Sequence, residues 1–310
     1  MTMDKRRIIV IVVTYNAMMW IDRCFGSLQC SGIVPDVFVV DNGSTDGTQD
    51  YIKEYFPQVI FHQSEENLGF GKANNIGLRY AIDNDYDYIY LLNQDAWVMS
   101  DTFETMIAVS KGHPEYGILS PMQYKGDARS LDEYFSRLIT NDGSNYGFIN
   151  DILADELKPV YDVNFVMAAH WLITRDCLLK IGGFSPTFPH YGEDDNFCDR
   201  VRYGGYMIGV VPKAKAVHEG GTRNIDLNRR LYHINMGNRA IFSNPNMSLY
   251  RMLCRFIYRF IRNIVKYPSI SHFHNLLSLL ANMRMIRHNR LVSMEGNTPF
   301  LVPEIENQSD

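Results

Sequence analysis

The 310-residue chain has little cysteine. Its five cysteines, at 24, 30, 177, 198 and 254, are odd in number and form no CxxC pair. That argues against a disulfide framework or a thiolate zinc site and fits a reducing compartment. Long apolar runs are missing too. "IIVIVVT" at 8–14 follows "MTMDKRR" directly and is far too short to span a bilayer. It reads as a first strand and not as a signal peptide. There is no internal repeat, no GxGxxG fingerprint, no Walker A ending, and no HExxH or zinc-finger spacing. Acid is absent from 245–294, which holds eight Lys/Arg. The last sixteen residues carry four acids and no base, so a net charge of -5 leaves residues 1–244 near -9. An acidic main body without a nucleic-acid module argues against nucleic acid as a partner.

What is present is a core and a rhythm. Apolar residues make up 46% of the chain, enough for one large α/β domain with an extension, or for two domains. Strands are expected at 8–14, 36–44, 58–63 and 86–93. Helices are expected at 18–29 and 48–55, and from the glycine loop 69–77 onward. This alternation predicts an α/β fold with a mostly parallel sheet flanked by helices. A helix over 98–115 and a strand over 117–123 follow. Residues 124–160 read as a polar loop or lid with a helical patch near 129–139. Further on come a strand and helix before "IGGF", an acidic helix to about 203, a strand at 206–211 and a short one ending at His218.

In such sheets ligands sit beyond the C-terminal strand ends, where Tyr15, Asp41 and Asp95 fall. Asp41 in "VVDNGSTDGT" either belongs to a polar turn, with Ser44, Thr45 or Asp46 capping the next helix, or binds a nucleoside's ribose or base. The glycines at 69, 71 and 77 either permit close packing or place Lys72, Asn74 and Asn75 beside an anionic or hydroxyl-rich ligand. Asp95 either caps a helix or holds a divalent cation that bridges two phosphates. Glu193, Asp194 and Asp195 open a helix, where the dipole accommodates them. Their mutual repulsion also marks a candidate site. His218 is a core or surface histidine, or a metal or phosphate ligand.

Taken in order, "VVTYN" at 12–16, "VVDNGSTDGT" at 39–48, "ENLGFGKANNIG" at 66–77, "LLNQD" at 91–95, "IGGFSPTFPHYGEDDNFCDR" at 181–200 and "HEGG" at 218–221 resemble the GT-A glycosyltransferases of family 2, in their rhamnosyltransferase-like subgroup of surface polysaccharide synthesis. The resemblance covers about residues 8–240. It implies a GT-A catalytic domain at 1–240, with a nucleotide-sugar half to about 120 and an acceptor half after it, and a helical extension at 241–310. It implies that Thr14, Tyr15 and Asn16 line the nucleoside pocket, that Asp41 contacts base or ribose, and that Lys72 and Asn75 lie along the donor. Asn93-Gln94-Asp95 matches the metal motif, with Asp95 and His218 holding Mn2+ or Mg2+. Asp194 is the implied general base, with Asp195 as its backup. The implied reaction inverts the sugar as it passes from a nucleoside-diphosphate donor, dTDP-rhamnose or a UDP-hexose, to a hydroxyl of a glycan or polyprenyl-linked glycan. Where relatives often carry a second Asp after the Glu-Asp pair, this chain has Asn196. That departure leaves open a catalytically degenerate nucleotide-sugar-binding or assembly protein. A nucleotidyltransferase is a lesser alternative.

Beyond the resemblance, Arg251, Arg255, Arg259, Arg262 and Lys266 recur at helical steps in 246–267, with apolar residues filling the rest. A second helix is expected over 273–287. Three uses follow for 246–290: packing on the catalytic domain with the basic side in water, peripheral contact with an anionic membrane, or homodimer packing. The arginines interrupt the run too often for a transmembrane span. The expected location is cytoplasmic, peripheral on the inner face of the plasma membrane.

Overall fold

The computed structural model describes residues 7–141, 147–220, 226–296 and 298–301. Gly221, the last residue of "HEGG", and the acidic end beyond 301 lie outside them. One mixed sheet organises the chain. Its first half is parallel: β1 (Ile8–Thr14) lies between β2 (Asp36–Asp41) and β4 (Tyr88–Asn93), with β3 (Ile60–Gln63) outside β2. The apolar run of β1 is continuous because both faces are covered. Ile9 and Ile11 enter one core cluster, and Ile8, Val10 and Val12 enter the other. The crossovers are α1 (Ile21–Gln29), α2 (Thr48–Tyr55) and α3 (Phe70–Asp83). Gly77 lets α3 ride close on the sheet, since a Cβ there would lie 2.6 Å from Ile11 Cγ2.

The second half of the sheet is mixed. After β5 (Ala96–Val98), α4 (Thr102–Gly112) and β6 (Tyr116–Tyr124) come α5 (Glu133–Asn141), α6 (Phe148–Ala154), β7 (Tyr161–Asp162) and β8 (His170–Thr174). β8 is antiparallel to both β4 and β6, while β9 (Met207–His218) is parallel to β6 and antiparallel to β5 and β7. The two short strands expected around 206–218 are one. Its register with β6 jumps from Pro121↔Val211 to Met122↔Lys215, so residues 212–214 bulge and break the alternation in the sequence.

The remaining helices are α7 (Arg175–Ile181), α8 (Glu193–Tyr203), α9 (Leu227–Ser243), α10 (Leu249–Lys266), α11 (Ser271–Ala281) and α12 (Met283–Glu295). Helices α9 to α12 share a small core of Ile241, Phe242, Met252, Leu279 and Ile286. α9 runs unbroken through residue 240, where the sequence suggests a boundary. Residues 298–301 return to the catalytic side, where Gly183 N–H donates to Pro299 O at 2.9 Å and Arg79 Nη1 donates to Leu301 O at 3.0 Å.

Candidate active site

Thr14 and Asp41 end adjacent parallel strands in register. Both are fully buried, and the Asp41 carboxylate is surrounded by donors. Its Oδ2 accepts from Thr14 Oγ1 at 2.8 Å and Ser44 Oγ at 2.6 Å, and its Oδ1 accepts from Ser44 N at 2.9 Å and Gln49 Nε2 at 2.7 Å. Four bonds use the acceptor sites a carboxylate offers. Asp41 therefore pins the turn after β2, and its neighbour Asn42 is the residue that lines the cleft. Asn16, at φ 50°, completes the same knot: its N–H donates to Ser44 Oγ and its Oδ1 accepts from Thr45 N. Tyr15 is exposed, and its backbone N–H and C=O both bond the Gln94 amide. That bond pair ties the first loop to the loop carrying Asp95.

Asp95 and His218 meet because β5 runs antiparallel to β9, pairing Ala96 with His218, while Glu219 N–H donates to Asp95 O at 2.9 Å. His218 Nε2 lies 3.6 Å from Asp95 Oδ1 and 3.4 Å from Asn93 Nδ2. Buried Nδ1 has no hydrogen-bond partner, and the nearest carboxylate is Asp132 Oδ2 at 4.0 Å. The Nε2 edge of the ring thus faces Asp95 and the Nδ1 edge faces Asp132. Among the described residues no group of three or more His, Cys, Asp or Glu converges on one point. The pair suits a hard cation that takes its remaining oxygens from a diphosphate and water. Asp132 falls in the segment read as a lid, and its only sequence signal is an acid before a helix: its Oδ1 accepts from Phe135 N at 2.8 Å.

On the opposite wall, Gly192, at φ 90°, delivers the chain into α8 and its three acids. Glu193 is 6% exposed, its Oε2 has no hydrogen-bond partner, and burial pushes its carboxyl up to about 7. Asp194 accepts from Asp195 N at 2.9 Å. Loss of water within the cleft raises it well above the usual carboxylate range, reinforced by Asp195 and Glu193. Asp195 is raised for the same first reason and drawn back by Arg259 and Arg255. Asn196 is 2% exposed and points away: its Oδ1 accepts from Arg200 Nε at 3.1 Å. Arg200, also buried, donates to Ile181 O and Gly183 O, both at 2.6 Å, and so locks α8 to the glycine turn. Tyr134, on the first turn of α5, also lines the cleft; its side chain is more than half exposed, and loss of water around the hydroxyl, with the charges of Asp195 and Asp194, raises it from its ordinary value.

The floor between the walls is the start of α3. A Cβ on Gly69, at φ 78°, would lie 2.7 Å from Pro189 O, so glycine permits the close approach of this floor to the segment before α8. Lys72 is exposed along the cleft. Asn75 lines it too, but its amide is engaged: Oδ1 accepts from Phe184 N at 2.7 Å and Nδ2 donates to Phe184 O at 2.9 Å. The cleft encloses about 1960 Å³ and brings together Tyr15, Lys72, Asn75, Asn93, Asp95, Asp194, Asp195 and His218. Thr14 and Asp41 are buried behind its wall, and Asn16, though exposed, is not among its lining residues. His170, near the acceptor side in sequence, is core: Nε2–H donates to Val217 O, Nδ1 accepts from Tyr90 OH, and burial holds it near neutral imidazole at about 3.

A mixed sheet, parallel in its first half, with a carboxylate, an imidazole and an amide at its strand ends and an acidic helix start lining the same cleft, agrees with the GT-A glycosyltransferase fold that the sequence resembles. The family model described as glycosyl transferase family 2 matches residues 9–176, more than half the chain, and the chain belongs to that family. It is similar to the N-acetylglucosaminyl-diphospho-decaprenol L-rhamnosyltransferase of Mycobacterium tuberculosis, 24% identical over 229 residues, covering 67% of this chain and 75% of that protein. The low-salt glycan biosynthesis hexosyltransferase Agl10 of Haloferax volcanii is 24% identical over 215 residues, covering 67% and 66%. Among solved structures, the mannosyltransferase PcManGT from Pyrobaculum calidifontis, in complex with GDP-Man and Mn2+, aligns with TM-score 0.56 at 18% identity over 94% of this chain and 88% of that one, a likeness of fold. Family membership supports sugar transfer from a nucleotide-sugar as the general activity.

Proposed function

We propose that the chain is a metal-dependent inverting glycosyltransferase that moves a sugar from a nucleoside-diphosphate donor to a hydroxyl of a glycan or lipid-linked glycan. One observation carries the reading: Asp95 and His218 line the same cleft as Glu193, Asp194 and Asp195. The names of the relatives above support rhamnose or a hexose as the transferred sugar and, for the first, a sugar on a polyprenyl diphosphate as acceptor; dTDP-rhamnose or a UDP-hexose is the donor we infer. The nucleotide would lie over Tyr15 and Asn42, in the half before about residue 120, with Lys72 along its phosphates. Asp95 and His218 Nε2 would hold Mn2+ or Mg2+, which when bound neutralises charge growing on the leaving diphosphate.

Asp194, its proton affinity raised by the cleft, would take the proton from the acceptor hydroxyl. The acceptor oxygen then forms a bond to the anomeric carbon as the bond from that carbon to the phosphate oxygen breaks on the opposite face. The nucleoside diphosphate leaves and the configuration inverts. Asp195 is the second acid at that wall. Asn196, the departure that favours a degenerate protein, is committed to Arg200 and is not a vacancy in the cleft. Asp194→Asn is expected to lower the transfer rate at least about a hundredfold while donor affinity stays within about twofold, measured by product chromatography and calorimetric titration. Near-normal turnover in that variant would overturn the assignment.

A further inference from the structure

The C-terminal helices point the opposite way from what their charge suggests. On α10 the fully buried residues are Met252 and Asn263, and most of its large apolar side chains face out. Tyr250, Ile257, Ile261 and Val265 are 76%, 54%, 57% and 77% exposed. α11 continues the pattern at steps of three, four and three, with Ile270, Phe273, Leu277 and Leu280 all more than half exposed. The basic stripe is divided. Arg259 lies over Gly237 of α9 and, with Arg255, shares a cavity of about 350 Å³ with Asp195 and Asp199 of α8. Arg251, Arg262 and Lys266 remain exposed beside the apolar side chains. The result is an exposed apolar face on each of two consecutive helices, with exposed cations beside that of α10, which alone is about 27 Å long. Among the described residues no helix is long and apolar enough to cross a membrane.

We infer that the exposed face of α10 and α11 docks the protein on the surface of an anionic lipid leaflet. Apolar side chains of this size left in water on adjoining helices mark an interaction surface. Its charge chooses the occupant. Residues 245–294 carry eight bases and no acid. A second copy meeting this face through a twofold axis would set arginine against arginine with no carboxylate between them. An anionic leaflet meets every exposed cation with opposite charge and takes up the apolar side chains between. The cleft adjoins this extension. Arg230 lines the cleft on α9 and donates through Nη1 to Tyr267 OH, at the end of α10, at 2.6 Å. This inference deepens the lipid-linked acceptor of the proposed function, but its test needs neither donor nor acceptor.

The full chain is sedimented with vesicles of phosphatidylcholine alone and of phosphatidylcholine with roughly one part in three phosphatidylglycerol. Binding to the anionic vesicles only, falling as salt rises, is expected. Ile257→Asp combined with Leu277→Asp should reduce the bound fraction about tenfold or more at unchanged melting temperature, because both side chains are already in water. Arg251→Gln with Arg262→Gln should weaken binding and flatten its salt dependence. No binding at low salt, equal binding to neutral vesicles, or a stable dimer in light scattering that Ile257→Asp dissociates would each overturn the inference. Failure of vesicle binding beside normal metal-dependent donor binding would reject this surface and leave the transferase reading standing.

Discussion

Asp41 and Asp194 show how similar carboxylates at loop ends come to different tasks. Asp41 has four donors arranged around it in a dry site, and a charged group so bonded is costly to remove. Asp41→Ala is expected to cost about 3 kcal/mol in stability, seen as a lower urea midpoint at unchanged slope, by leaving Thr14, Ser44 and Gln49 without their acceptor. A variant of full stability with weakened donor binding would make Asp41 a ligand group instead. Sequence alone could not divide these roles. "VVDNGSTDGT" announces a strand end and a turn, yet Gln49, which closes the set of donors, carries no mark of its function. Asp132 was hidden for a related reason: its closeness to His218 depends on pairing between segments 86 residues apart. Asp95 and His218, by contrast, were each legible as a strand-end candidate, and their 3.6 Å approach follows from the β5–β9 register.

At the scale of elements, the strands and helices of the first half were readable because each is a short periodic segment bounded by turn residues: β1 and α2 have the expected limits. The second half was less so. The bulge at 212–214 split β9 in the pattern, and β5, three residues long, has too little sequence to signal itself. α9 has mixed polar and apolar character because one side meets the cleft and another meets α10 to α12. α8 depends on one buried cation. Burial draws the Arg200 guanidinium down to about 9, and its three bonds join α8 to the Ile181–Gly183 turn. Arg200→Met should fit the volume yet leave two carbonyls and an amide oxygen unpaired, lowering stability by about 3 kcal/mol in chemical denaturation. An unchanged midpoint would mean that water replaces the guanidinium without cost.

Across the whole molecule, acidic α8 is set between the cleft and the basic α10, so burial and charge are coupled from the site to the extension. The helical period of α10 was plain in the sequence. Its orientation was not, because the carboxylates that face Arg255 and Arg259 lie some sixty residues earlier, on α8. The buried acids also set how stability follows pH. Burial raises Glu193 from 4.5 and Asp199 from 3.8, each to about 7. Between those limits the folded state holds more protons than the unfolded one, so the stability these groups contribute is complete at low pH and is lost as pH rises toward 7. The melting temperature is expected to fall by about 5 °C between pH 5 and pH 8, and Glu193→Gln should remove about half of the fall. A melting temperature that rises over that range would contradict the burial of these acids.

The most direct test of the central claim is a thermal-shift screen of the folded chain with UDP-, dTDP-, GDP- and CMP-sugars, with and without Mn2+, repeated on Asp95→Ala. A stabilising shift with one or two donors, dependent on the metal and lost in the variant, is expected, since a ligand that binds only the folded state raises its stability by mass action. No shift with any donor, or an equal shift without metal and in Asp95→Ala, would contradict a metal-assisted nucleotide-sugar site at Asp95 and His218.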